Sequence, residues 1–139
     1  MKIRFIYIII FATVFSCNSP TAKHPVTAMD TGRDFIRATL DGDFISAEPL
    51  LLPEPENIQL FDTYKELYSR LHPEEKAAYK NASYNINTYK DLNDSVSVIN
   101  YSNSYMKKPM NIKLVKRENT WRVDFKYTSQ ERSPTDSTD

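Results

Sequence analysis

One cysteine, two glycines and two histidines are all that 139 residues contain, and each shortage removes a class of chemistry. Cys17 alone can neither close an internal disulfide nor build a thiolate metal site. Gly32 and Gly42 stand apart from each other, so no glycine-rich loop is present to cradle a phosphate. His24 and His72 are too few for a histidine-rich metal site and offer little to a histidine-based triad. His24 falls in a proline-bearing linker, and His72 directly precedes Pro73, where a surface or helix-capping role is the simpler reading. Neither sign of charge is in excess, with 18 Lys and Arg scattered among 18 Asp and Glu. That leaves no basic face for nucleic acid and no polybasic membrane patch. No cofactor is implied by any motif.

Long apolar runs are missing too, with one exception at the start. Met1-Lys2-Ile3-Arg4 carries two cations and no acid, and Phe5 to Phe15 follows as an unbroken greasy stretch ending at Ser16-Cys17. A cationic start, a short apolar run and a small residue at a cut describe a secretory signal. Its length argues against a permanent span. As a helix the run reaches roughly 16 Å at about 1.5 Å per residue, against a hydrocarbon core of about 30 Å. The only cysteine sits directly behind it, in Val14-Phe15-Ser16-Cys17. This pattern resembles the lipobox of bacterial lipoproteins: an aliphatic residue three before the cysteine, and a small residue just before it. The resemblance implies that residues 1–16 are removed and that Cys17 becomes the lipidated first residue. Two or more acyl chains anchor stably where one does not. A plain secretory signal with a stray cysteine is the alternative. Asn18 follows Cys17, where an aspartate would, by the same resemblance, favour the inner membrane. The expected location is therefore an outer-membrane lipid anchor, with the protein facing the periplasm because no acidic run follows the cysteine.

Removing residues 1–16 takes away Lys2 and Arg4 and no acid, leaving 16 bases against 18 acids. Residues 17–27 hold Pro20, Pro25 and small polar residues, and read as the lipidated cysteine with a flexible tether. Residues 128–139 contain no large apolar residue and read as a disordered polar tail. Between them lie about 100 residues, enough for one domain that buries over about 60% of its unfolded surface.

Helix signals come first in this domain. Ala28 to Asp41 places Phe35, Ile36, Thr39 and Leu40 on one face, and Gly42 suits a left-handed C-cap. Asp43 is placed to cap a short turn through Phe44, Ile45 and Ala47. Prolines 49, 53 and 55 mark a connecting loop. From about Glu56 to Leu71, Leu60, Tyr64, Leu67 and Leu71 form an apolar stripe with Phe61 and Tyr68 flanking it. Pro73-Glu74-Glu75 begins a third long helix, ending near Asn81.

From Ser83 the period becomes two. Tyr84–Tyr89 and Ser95–Tyr105 read as one hairpin around Asn93-Asp94. Met110–Val115 and Trp121–Tyr127 read as another around Glu118-Asn119. In the last strand Trp121, Val123, Phe125 and Tyr127 alternate with Arg122, Asp124 and Lys126. The inward face of Ser95–Tyr105 switches from Val96 and Val98 to Ile99 and Tyr101, which predicts a bulge there. Helices followed by an antiparallel four-stranded meander make an α+β fold, with the helices on one sheet face.

Phe35-Ile36-Arg37-Ala38-Thr39-Leu40-Asp41-Gly42-Asp43-Phe44, the later helices, and a meander closing on Asn119-Thr120-Trp121-Arg122-Val123-Asp124 together resemble a known group. It is that of small bacterial lipoproteins with a cystatin-like, nuclear transport factor 2-like domain, the lumazine-binding-like lipoproteins. The likeness covers residues 28–127 and implies a cone in which a curved sheet wraps a long helix. The wider superfamily holds isomerases, dehydratases, transport factors and binding domains, so fold does not set function.

Candidate chemistry is sparse. Asp62 and Glu66 share a helix face but lie opposite the apolar stripe, which favours a solvated surface over acid–base work. Asp124 belongs to the polar face of its strand, where a cross-strand ion pair worth under about 1 kcal/mol is expected. Aromatic load is the feature with functional promise. Tyr64, Tyr68, Tyr101, Trp121 and Phe125 can line a pocket at the cone mouth, or they can be ordinary core filling and cross-strand pairs. The expected function is a membrane-anchored, non-catalytic module binding an envelope protein or a small ligand. An isomerase- or dehydratase-like enzyme using a carboxylate and tyrosines is the second reading, and a purely structural envelope protein the third.

Overall fold

The computed structural model describes residues 26–130. Cys17, His24, the tether and the end of the polar tail lie outside the described residues. Helices come first: α1 (Ala28–Asp41), the short α2 (Phe44–Ala47), a 3-10 turn at Glu48–Leu50, α3 (Pro55–Ser69) and α4 (Pro73–Lys80). Four strands follow, β1 (Tyr84–Asn93), β2 (Val96–Asn103), β3 (Met110–Arg117) and β4 (Thr120–Asp124), and α5 (Phe125–Gln130) closes the domain. The strands form one antiparallel sheet in the order β1-β2-β3-β4. The architecture is α+β, as the change of period indicates.

Local chemistry accounts for the first turn of the chain. Thr27 caps α1 by accepting the Asp30 N–H at 3.0 Å. The helix stops at Gly42, whose φ of 71° is the left-handed cap that only glycine adopts freely. Asp43 then accepts the Ser46 N–H at 3.1 Å and starts α2. His72 caps α4, with Glu75 reaching back to accept the His72 N–H at 2.8 Å. Arg37 ties α1 to the end of α4 by donating to the Ala82 and Lys80 carbonyls, while its Nε and Nη2 grip Asp41. Asp62 and Glu66 are exposed and paired with Lys65 on the same helix and with Arg70 at its C-cap.

The core lies between α1, α3, α5 and the inner sheet face. Phe35, Ile36, Phe61, Ile99, Ile112, Leu114, Val123 and Phe125 are all buried. Gly32 lets α1 lie close to β2, since an added Cβ would collide with the Ile99 side chain. The outer edge of β4 is covered by the segment after the 3-10 turn, where Leu51 bridges Val123 and the Leu52 N–H donates to the Val123 carbonyl at 2.9 Å.

Three expectations need correction. Helix α3 turns Phe61 and Asn57 into the core and leaves Leu67 57% exposed, so the aromatic assigned to the flank is its centre. Phe61 wins the position because it meets Phe35, Phe44, Tyr64 and Phe125 rings at 5.2–6.0 Å, a larger apolar contact than a leucine offers. The bulge expected in Ser95–Tyr105 is on β1 instead, with register shifts between Ile86 and Thr88 and between Asp91 and Asn93. Strand β2 alternates without a break because Ser97 faces inward, donating to Asp91 at 2.6 Å and accepting from the Tyr89 hydroxyl at 3.3 Å. Val96 and Val98 take the outer face opposite Val115 and Lys113.

The last strand also ends early. Asn57 Oδ1 accepts the Lys126 N–H at 2.8 Å, and Phe125 reaches the aromatic core at Phe61. The chain therefore leaves the sheet after Asp124, and Tyr127 lies in α5 rather than in β4. Asp124 does pair across strands with Lys113, at 3.3 Å, but it is buried rather than solvated, because α5 folds back over β3.

Glu118 and Asn119 hold φ of 48° and 62° in the β3–β4 turn, the left-handed pair that a two-residue hairpin demands. Asparagine enters that region at a lower cost than glutamate does. Glu118→Asn is expected to raise stability by about 0.5–1 kcal/mol, read as a higher urea midpoint with an unchanged slope.

Candidate functional site

A cavity of about 260 Å³ opens where the last turn of α1 meets α3, α4 and the end of β2. Thr39 and Leu40 form its floor from α1, and Tyr64, Leu67, Tyr68 and Leu71 come from α3 and the residues just after it. Tyr79 closes one side from α4. Tyr101 and Asn103 contribute from β2, Met106 from the β2–β3 connection and Met110 from the start of β3. These positions follow from helix and strand periods. Tyr64, Leu67, Tyr68 and Leu71 share one face of α3 at steps of three and four. Tyr101 and Asn103 lie two apart on the inward face of β2.

Ring packing sets the walls. Tyr68 meets Phe44 edge-on at 5.0 Å and Tyr79 at 5.9 Å, and Tyr79 meets Tyr105 at 4.4 Å. Both thioethers are engaged: the Tyr79 hydroxyl donates to Met106 Sδ at 3.4 Å and the Tyr101 hydroxyl to Met110 Sδ at 3.8 Å. Thr39 donates back to the Phe35 and Ile36 carbonyls of its own helix at 2.9 and 3.0 Å. Burial, and then the nearby Asp41 carboxylate, push the Tyr68 hydroxyl above the usual tyrosine range. Tyr68 therefore stays neutral at physiological pH.

Gly42 has a second role here. A Cβ at that position would stand 2.6 Å from the Tyr68 hydroxyl oxygen, so the missing side chain lets the tyrosine lie against the cap. Gly42→Ala is expected to cost about 1–2 kcal/mol from the left-handed backbone and to displace the Tyr68 ring. Urea denaturation reads the first effect, and the near-ultraviolet tyrosine dichroism reads the second.

Asn103 was not among the residues singled out in the sequence, yet its environment is the most constrained in the cavity. It is 4% exposed. Its Oδ1 accepts the Tyr105 N–H at 3.1 Å and the Met106 N–H at 2.8 Å, which fixes which end of the amide is oxygen. A signal was present: a polar residue follows Ile99 and Tyr101 at the inward spacing of a strand.

Of the five aromatic candidates, the cavity unites Tyr64, Tyr68 and Tyr101. Phe125 is absent from it because it is core, 2% exposed and packed on Phe35, Phe61 and Tyr64. Trp121 sits on β4 beneath the Lys116 ammonium. It lines a separate depression with Val26, Thr27, Tyr89 and Asp91 near the start of α1. There Asp91 is held below its ordinary pKa by hydrogen bonds from Ser97 and then Tyr89, a pair that ties β1 to β2.

Among the described residues no group of His, Cys, Asp and Glu is placed to hold a metal ion, and no helix is long and apolar enough to cross a membrane. No family model, curated protein or solved structure matches this chain.

Proposed function

We propose that this chain is an outer-membrane lipoprotein, anchored through lipid on Cys17 and facing the periplasm, whose domain binds a small ligand without transforming it. In this reading the α+β domain is a cystatin-like, nuclear transport factor 2-like cone, and the tyrosine-walled cavity is its mouth. The observation that carries the binding role is the lining itself. Four tyrosines and two methionines surround a concave space, the large flat apolar faces with polar tips that suit a small organic molecule. The isomerase or dehydratase reading calls for a carboxylate within reach of bound substrate. Neither a carboxylate nor a histidine is among the residues that line this cavity.

Placement agrees with a tethered binder. The tether joins α1 at its start, at Val26 and Thr27, whereas Thr39 and Leu40 floor the cavity in its last turn. At about 1.5 Å per residue the two lie roughly 17 Å apart along the helix. With the tether entering at one end of α1 and the cavity at the other, the mouth stands away from the point where the tether joins the domain.

Crosslinked pull-down of the lipidated protein from its own membranes, with bound small molecules identified in the same sample, tests the proposal. A recurrent small molecule held in the domain is the expected result. A stoichiometric protein partner with no small molecule would favour an interaction module instead.

A further inference from the structure

Resting on the ligand-binding reading above, we propose that the cavity selects a neutral molecule, about the size of one substituted ring, that presents a hydrogen-bond acceptor to Asn103 Nδ2. Four features of the site define this class.

The first is the amide itself. Asn103 lines the cavity and is 4% exposed. Both backbone N–H groups that it serves, those of Tyr105 and Met106, bind its Oδ1. Turning the amide over would set its NH2 against two other donors, so Nδ2 is the end left for the cavity. It donates to no side chain or carbonyl among the described residues. Among the described residues the buried side-chain atoms left without a partner are Asn57 Nδ2, Asp124 Oδ1 and Thr128 Oγ1, not Asn103 Nδ2, so this donor is reached from the open side of the cavity, where an acceptor on a guest can meet it.

The second is that three of the hydroxyl protons around it are committed. Tyr79 donates to Met106, Tyr101 to Met110, and Thr39 to its own helix. Tyr68 is turned against Gly42. Asn103 thus offers a guest a donor that the fold already holds in place.

The third is charge. No Asp, Glu, His, Lys or Arg is among the residues that line the cavity. An ion entering it would lose hydration without gaining a counter-charge, so charged guests are disfavoured. The fourth is size. About 260 Å³ equals roughly nine waters at about 30 Å³ each, just below the range of about 300–1,000 Å³ typical of drug-sized ligands. Aromatic faces and thioethers supply contacts suited to a ring.

The test uses the full chain in phospholipid nanodiscs, with free ligand set by dialysis against protein-free nanodiscs. Three single-ring probes are compared: acetophenone, which is neutral with a carbonyl acceptor; ethylbenzene, which matches its body without the acceptor; and benzoate, which is charged. Acetophenone is expected to bind about tenfold or more tightly than ethylbenzene, to outcompete benzoate, and to shift the Asn103 side-chain NH2 resonances. Asn103→Asp keeps an acceptor for the Tyr105 and Met106 N–H groups and removes the donor, so the preference for the ketone should collapse. Equal binding of acetophenone and ethylbenzene to the unaltered protein would overturn the acceptor requirement while leaving a binding cavity. Benzoate binding as tightly as acetophenone would overturn neutrality. Failure of all three, with no change in any cavity tyrosine resonance, would instead remove the binding reading on which the proposal rests. The comparison of probes on the unaltered protein decides the matter even if Asn103→Asp does not fold.

Discussion

Replacing Cys17 with alanine is expected to abolish incorporation of labelled fatty acid completely and to move the protein out of the membrane fraction. The apolar run from Phe5 to Phe15 falls well short of a bilayer core, and no described helix is long and apolar enough to replace it. Cys17 is the sole thiol in the chain, so no second site can take the thioether. Attachment by two or more acyl chains is effectively stable while one chain is marginal, which makes the expected change all-or-none rather than graded. Metabolic labelling and membrane fractionation of the two proteins read it directly. A Cys17→Ala protein that stays in membranes would contradict the lipid anchor.

Phe61→Ala is expected to lose about 3–5 kcal/mol, the largest stability effect of any single truncation in the domain. Phe61 is 1% exposed. Its ring is the meeting point of α1, α2, α3 and α5, through Phe35, Phe44, Tyr64 and Phe125, and the Lys65 ammonium lies 5.6 Å from its centroid. Truncation leaves a void bounded by four separate elements, which cannot all collapse into it, so the cavity penalty adds to the transfer loss. A single domain of this size holds about 5–15 kcal/mol in total. The variant should therefore unfold at a much lower urea concentration, and tyrosine packing should loosen at the neighbouring cavity through Tyr64. Phe61→Leu, which refills part of the volume, should recover a substantial share.

Element order, the α+β class and the capping residues were legible because each rests on local rules. Gly42 and Asp43 announce a helix end and a helix start, and Glu118-Asn119 announces a tight hairpin, whatever surrounds them. The rotation of α3 was not legible, since both the Leu60–Tyr64–Leu67–Leu71 stripe and the Asn57–Phe61–Tyr64 face satisfy a helical period. The choice between them is made by three aromatic partners, Phe35, Phe44 and Phe125, that come from distant parts of the sequence. For the same reason Phe125 and Trp121 looked like neighbours of Tyr64, Tyr68 and Tyr101. Period two continued through Tyr127, and the bond from Lys126 to Asn57, across 69 positions, together with the packing of Phe125 on Phe61, turns the chain out of the sheet. Three of the five aromatic candidates converge because helix α3 and strand β2 carry them at regular spacing. Asn103 escaped notice because an asparagine near a strand end reads as a turn residue, and half of its amide does serve the turn.

The most direct measurement compares small molecules that co-purify with the intact protein and with Leu67→Trp, each isolated from its own membranes and analysed by mass spectrometry. Leu67 lines the cavity yet is more than half exposed, so a tryptophan there obstructs the mouth without overpacking the core. A neutral species enriched with the unaltered protein and missing from the variant is the predicted result. Identical small-molecule profiles from the two proteins would contradict a ligand-binding cavity.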